Sequence, residues 1–142
     1  MILVDLNVLL YAVNRSAPEY SAASSWMEGT LAEGRDTIGL AWAVILGFLR
    51  LSTSSRLFPA PLTVEAATQF MDTLLGHPAV RRVQPGERHW PLLRHMIALS
   101  GTGGNLTTDA HLAALALEND AAVATRDADF SRFPGIRVLN PF

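Results

Sequence analysis

Short apolar runs alternate with longer amphipathic stretches along this chain, and that alternation predicts strands separated by helices. Ile2-Leu3-Val4 is an uninterrupted apolar run, as suits a strand buried on both faces of a parallel sheet. Thr37-Ile38-Gly39-Leu40 reads as a weaker strand, and Val80-Arg81-Arg82-Val83 alternates like a half-exposed one. Ala122-Val123-Ala124-Thr125 is again apolar, and Ile136 to Leu139 can form a last strand.

Helical patterns fill the intervals. One begins directly after Asp5. A second opens at Ser16-Ala17-Pro18-Glu19, where Ser16 can cap, Pro18 suits a first turn and Glu19 stands at capping-box distance. Trp26, Met27 and Leu31 continue its apolar face, and Gly34 is its predicted stop. Ala41 to Leu51 is apolar nearly all round, with Arg50 its one charge, and such a helix is buried in a core or against a partner. Thr63 is the expected cap of a helix through Ala67, Phe70, Met71 and Leu74, closing near Gly76-His77-Pro78. Trp90, Leu93, Met96, Ile97 and Leu99 make another helical face. Thr107-Thr108-Asp109 introduces a helix carrying Leu112, Leu115, Ala116 and Leu117. Strands alternating with helices predict a three-layer α/β/α fold around a mainly parallel sheet.

Length and composition narrow the field. At 142 residues, spanning 1–142, the chain is expected to form one domain, and 49% hydrophobic residues suffice for a real core. No apolar run approaches the roughly 20 residues of a spanning helix. No basic region precedes the short apolar start, so no signal peptide is predicted. Cysteine is absent, which rules out disulfides and thiolate metal sites and fits a reducing, cytoplasmic setting. The net charge of −2 gives no overall attraction to nucleic acid. A nucleic-acid substrate would therefore be held by local arginines or by metal ions.

Candidate chemistry follows from where the acids fall. Asp5 and Asp127 each follow a short apolar strand, and Asp109 opens a helix after a Gly-rich loop. In open α/β sheets ligands gather at the carboxyl ends of strands, where such positions can converge. Two unit charges about 4 Å apart cost roughly 4 kcal/mol at an effective dielectric near 20. A protein tolerates converging carboxylates when a cation is bound or when some are protonated. Hard oxygen donors without cysteine favour Mg²⁺ or Mn²⁺, ions that activate water and neutralise charge developing on a phosphodiester. The structural alternative is three unrelated caps and turn residues; Asp5 or Asn7 would cap the first helix, and Asp129 the turn into Phe130. Arg50 and Arg126 are candidate phosphate contacts or ordinary surface charges. His111 reads as a surface or partly packed residue, and His77, His89 and His95 show no metal-ligand spacing. Gly101-Thr102-Gly103-Gly104-Asn105 lacks the Gly-Lys-Ser/Thr ending of a phosphate loop and reads as a helix stop plus turn.

Four motifs in order then carry a resemblance. They are Met-Ile-Leu-Val-Asp5-Leu-Asn7-Val-Leu-Leu-Tyr11, Trp42 with Gly47-Phe-Leu-Arg50, Thr108-Asp109-Ala-His-Leu-Ala-Ala-Leu-Ala, and Thr125-Arg-Asp127-Ala-Asp129-Phe130. Together they resemble a PIN domain, and more narrowly the VapC-type toxins of bacterial type II toxin–antitoxin pairs. The resemblance implies an α/β/α fold and Mg²⁺-dependent cleavage of RNA that inhibits translation and growth. It also implies a homodimer and a cognate VapB-type antitoxin that wraps the toxin and blocks its site. Residue by residue, Asp5, Asp109 and Asp127 match the family's acids as catalytic and metal ligands. Asn7 and Thr125 match supporting polar positions, with Asp129 beside them.

One departure stands out: many members carry a Glu three residues before the Arg of the middle helix, and here that position is Gly47. No acid occurs from Thr37 to Pro61 to replace it, so a retained water is expected in the metal's shell. Two other readings stay open. One is a catalytically weak module that binds RNA or antitoxin and acts by occupancy. The other is a phosphatase-like enzyme with Asp5 as nucleophile, in which Asn7 stands for the usual second Asp. The apolar helix from Ala41 to Leu51 and the face around Trp26 are candidate surfaces for an antitoxin helix.

Overall fold

The computed structural model describes residues 1–101, 103–104 and 106–142. Among them the chain forms strands β1 (Ile2–Val4), β2 (Ile38–Ala41), β3 (Val80–Val83), β4 (Ala122–Ala124) and β5 (Arg137–Leu139). The helices are α1 (Leu6–Val13), α2 (Tyr20–Glu33), α3 (Trp42–Ser52), α4 (Val64–Leu75), α5 (His89–Ser100) and α6 (Leu106–Glu118), with a 3₁₀ turn at Ala128–Arg132. The strands make one sheet in the order β3-β2-β1-β4-β5, and every neighbouring pair is parallel.

Handedness distributes the helices. The chain steps outward from β1 to β3, then returns past β1 to β4 and β5. Right-handed crossovers therefore put α1 to α4 on one face and α5 and α6 on the other. The packing agrees: α1 lies against α2 and α3, α3 against α4, and α5 against α6, which also covers the 3₁₀ turn. This is the expected three-layer α/β/α arrangement. Leu3, Val4, Ile38, Leu40, Val123, Phe48, Leu112 and Leu115 are at most 2% exposed and form the centre of the core. Among the described residues no helix is long and apolar enough to cross a membrane.

Three local expectations need correction, and a fourth, for α3, is met on one side of the helix. β3 does not alternate: Val80 and Val83 are buried, Arg81 and Arg82 are exposed, and the two valines project to opposite faces of an edge strand. Exposed arginines there discourage edge-to-edge pairing. α2 begins at Tyr20 rather than at Pro18. The Ser16 N–H donates to Asn14 Oδ1 at 3.2 Å, and Glu19, the expected capping-box acid, pairs instead with Arg126. The inward stripe of α5 runs through His89, Met96 and Ser100, so Trp90, one helical step off, is 66% exposed and Leu99 is exposed too. The apolar helix α3 buries Val44, Ile45 and Phe48 but leaves Trp42 and Leu46 exposed, one turn apart, with Arg50 the next turn on. The closures at Gly34 and Gly101 and the Thr63 cap are as expected. Thr102 and Asn105 of the glycine-rich loop lie outside the described residues.

Candidate active site

The strand order places a topological switch between β1 and β4. The connections leaving these two strands diverge to opposite faces and open a crevice at their carboxyl ends. Register makes the two strands end level: Val4 pairs with Ala124, and the Asp5 N–H donates to the Ala124 carbonyl at 3.0 Å. The next residue on each strand is therefore Asp5 or Thr125, side by side at the mouth.

Their side chains are bonded. The Thr125 hydroxyl donates to Asp5 Oδ2 at 2.6 Å and accepts from Asn7 Nδ2 at 3.1 Å and from the Asp127 N–H at 2.9 Å. Asn7 Nδ2 also donates to Asp5 Oδ2 at 2.7 Å. The other carboxylate oxygen of Asp5 accepts the Leu6 N–H at 2.6 Å and so caps α1. Asp5 thus fills the capping role and the site role together. Thr125 is 1% exposed and Asp5 8%, so this network is held in the protein interior.

Asp109 comes from the first turn of α6 and Asp127 from the loop after β4. With Asp5 they line one cavity of about 760 Å³, whose wall also includes Gly47, Arg50 and Thr108. The acids feel one another. Burial is the main force raising the Asp5 carboxyl above the usual carboxylate range; bonds from Thr125 and Leu6 oppose it, and Asp127 adds to it. Asp109 is pushed up to about 6, first by burial and then by the charges of Asp5, Asp127 and Asp129. Asp127 and not Asp129 caps the 3₁₀ turn, accepting the Asp129 N–H at 2.8 Å, while Asp129 receives Arg132 Nε at 3.0 Å. That corrects the expectation for Asp129: it supplies charge near Asp109 and an ion pair, not the cap.

The two candidate arginines part company. Arg50 is exposed and borders the acid cavity. Arg126 pairs with Glu19 and lies 5.8 Å from the centre of the Phe142 ring, tying the end of β4 to the start of α2. His111 does not line the cavity. Its Nδ1 stands 2.9 Å from His89 Nε2, and His89 Nδ1 lies 3.5 Å from Glu118. Burial, and after it His89, lowers the pKa of His111. Sequence spacing did not reveal this His–His–Glu row, because its members come from two helices that only packing brings together.

Gly47 has a neighbour that explains its fit. A Cβ at this position would come within 2.7 Å of Leu6 Cδ2, so the Leu6 side chain occupies the space where a larger residue would begin. Among the described residues no three acid or imidazole groups are gathered closely enough to grip one ion directly. Oxygen donors around a roomy cavity instead fit a hydrated divalent cation, since Mg²⁺ keeps several waters and is often held by one or two carboxylates. Raised pKa values on Asp5 and Asp109 point the same way, as a cation would relieve the crowding of negative charge.

Comparison with known proteins shows the family. The family model for the PIN domain matches residues 2–136. The ribonuclease VapC37 of Mycobacterium tuberculosis is 45% identical over 141 residues, covering 99% of this chain and 97% of the relative. Ribonuclease VapC33 of the same species is 37% identical, covering 99% and 98%. Among solved structures, VapBC2 of Rickettsia felis, bound to a DNA fragment from their promoter, aligns with a TM-score of 0.71 at 19% identity, covering 99% of this chain and 98% of that one. Mycobacterium tuberculosis VapC20, a sarcin-ricin loop cleaving toxin, aligns at 0.66 and 16% identity, covering 96% and 99%. A family match across nearly the whole chain, carried on a parallel sheet with acids at its switch point, establishes that the chain belongs to the PIN-domain family, alongside relatives named VapC ribonucleases.

Proposed function

We propose that this protein is a divalent-metal-dependent endoribonuclease, the toxin of a type II toxin–antitoxin pair. The observation that carries the reading is the convergence of Asp5, Asp109 and Asp127 on one cavity at the β1/β4 switch, with their charges coupled. The ribonuclease names of its relatives support it. When bound, a divalent cation, Mg²⁺ or Mn²⁺, supplies a water of lowered pKa and neutralises charge developing on the phosphate.

The chain's own groups do the rest. Asp5 and Asp109 would hold the cation, and Asp127 would hold or orient a water beside it. Thr125 and Asn7 fix the Asp5 carboxylate by three hydrogen bonds among them, so it is oriented before substrate arrives. Arg50, at the cavity's rim, is placed to meet a non-bridging phosphate oxygen. Arg126, engaged by Glu19, orders the loop instead.

Leu46 on α3 lines this cavity, and the exposed Trp42 stands one helical turn before it. They suit the apolar face of an amphipathic antitoxin helix, which would then also cover the acids. A VapB-type partner fits the VapBC assemblies among the structural neighbours. A homodimer belongs to the same reading, and sedimentation of the purified protein tests it.

The deciding experiment is cleavage of end-labelled tRNA and ribosomal RNA with Mg²⁺, with chelator and with Asp5→Asn. Asparagine also caps helices well, so the start of α1 is kept, and circular dichroism and the melting temperature check the fold, since its NH₂ replaces the acceptor that Asn7 and Thr125 now use. Discrete Mg²⁺-dependent cuts that fall at least about a hundredfold in Asp5→Asn are expected, the loss of a group acting in the transition state. Gly47, with Leu6 against it, motivates the second reading of a module that binds without cutting. An RNA footprint without strand breaks, indifferent to Mg²⁺, would establish that reading instead.

A further inference from the structure

Beside the acid cavity lies a second cleft of different chemistry. Asn7, Leu10 and Tyr11 lie on one face of α1, with Asn14 just past its end, opposite Leu51 at the end of α3 and Phe58 in the loop that follows. The cleft measures about 290 Å³ and is open to solvent. Two of its walls are shared with the site: Leu51 lines both cavities, and Asn7 is bonded to Asp5 and Thr125.

No residue of this wall carries a charge, so the cleft has nothing to hold a phosphate. It offers two aromatic rings and one free carboxamide, that of Asn14, because the Asn7 amide is spent on Asp5, Thr125 and the Arg126 N–H. Tyr11 and Phe142 meet in a T-shape, with ring centres 5.5 Å apart at 81°, which fixes the plane of the Tyr11 ring. Asn14 uses its Oδ1 on the Ser16 N–H, which leaves its amide NH₂ without a partner among the described residues. Aromatic faces with a nearby amide donor match an unpaired nucleobase, which proteins take by stacking and by hydrogen bonds to its edge.

We infer that this cleft is a nucleobase subsite: a base splayed from single-stranded RNA next to the scissile phosphate enters it, stacks on Tyr11 and Phe58, and presents an acceptor edge to Asn14. The inference rests on the ribonuclease reading and adds a determinant of which sequences are cut. Size and continuity favour this occupant over a protein helix. The volume sits at the lower end of the roughly 300–1,000 Å³ of small-ligand sites, and the free carboxamide of Asn14 stands just past the α1 face. A phosphate bound among the acids would leave a neighbouring base at the shared Asn7–Leu51 wall.

The test is a cycle between the protein and its RNA. Cuts made by the wild-type protein are mapped, and a short synthetic RNA around one of them is made with each flanking base in turn replaced by an abasic ribose. At one flanking position, base removal is expected to raise KM about tenfold to a hundredfold, with kcat nearly unchanged. Phe58→Leu keeps apolar volume without the ring face, and it should raise KM on the intact RNA by a similar factor. On that abasic RNA the same substitution should add nothing. Phe58→Trp should restore the intact-RNA KM, which separates stacking from a folding defect, and Tyr11→Leu should behave like Phe58→Leu. Independent, multiplying effects of substitution and base removal would overturn the subsite while leaving the nuclease reading intact. So would a Phe58→Leu protein that cuts normally but loses a protein partner. Absence of any metal-dependent cut by the wild type would overturn the nuclease reading and the subsite with it.

Discussion

At the residue scale, the site is organised by one hydroxyl. Thr125 Oγ1 joins Asp5, Asn7 and the Asp127 N–H, and it is buried. Thr125→Val keeps the shape and deletes all three bonds. It should cost about 1–3 kcal/mol in urea unfolding, because a buried carboxylate and amide lose a partner, and cut cleavage at least about tenfold. Asp109 makes a pH prediction. Its carboxyl is raised from 3.8 to about 6, so the cation-free protein has this group's stabilising contribution in full below about pH 4 and loses it as pH rises through about 6. The loss should be about 1–2 kcal/mol after allowance for its partial exposure to water. Urea unfolding in chelator across that range should show the decline, and Asp109→Asn should flatten it. The identity of these residues was legible from their positions after strands and at a helix start. Their hydrogen bonds were not, since Thr125 and Asp5 are 120 positions apart and meet only through the pairing of β1 with β4.

At the scale of elements, α1 and α3 pack closely because Gly47 leaves room for Leu6. Gly47→Ala should therefore forfeit most of the roughly 0.5–1 kcal/mol that alanine gains over glycine inside a helix, because the end of the Leu6 side chain must shift, and Leu6→Ala in the same protein should recover that gain. Thermal unfolding of the four proteins of this cycle reads the coupling. Gly47→Glu should not tighten Mg²⁺ binding in calorimetry unless Leu6 is shortened as well, because the added side chain must first displace it. Helix existence and most stop signals were readable in the chain, as at Thr63 and Gly34. Helix phase was less so. Trp90 looked like a core residue, yet α5 turns His89 inward, where Glu118 and His111 meet it, and Glu118 also accepts the Gly86 and Arg88 N–H groups. Glu19 likewise had the sequence context of a cap, but its carboxylate found a stronger partner in Arg126, far away in the chain.

At the scale of the whole molecule, elements from both halves of the chain converge on one crevice, so a ligand there ties them together. A cation that binds the folded state at a hundred times its Kd adds about 2.7 kcal/mol of stability. Mg²⁺ or Mn²⁺ should accordingly raise the melting temperature by several degrees, and Asp5→Asn or Asp109→Asn should abolish most of that rise. A scan with Mg²⁺, Mn²⁺ and chelator checks it. An equal rise in all three proteins would place the ion elsewhere.

The sequence by itself determined the alternation of strands and helices, and with it the parallel sheet and the acids at strand ends. Those are local matters of hydrophobic period, cap chemistry and residue type, written within a few positions of one another. Only the tertiary structure decided that β1 and β4 are neighbours and that the acids share a cavity in which burial and mutual charge lift Asp109. It also decided that Arg50 faces this cavity while Arg126 is held by Glu19, and that the face of α1 from Asn7 to Tyr11 meets Phe58. The reason is physical: charge coupling, desolvation and cleft shape depend on distances between residues far apart in the chain, and strand order sets those distances.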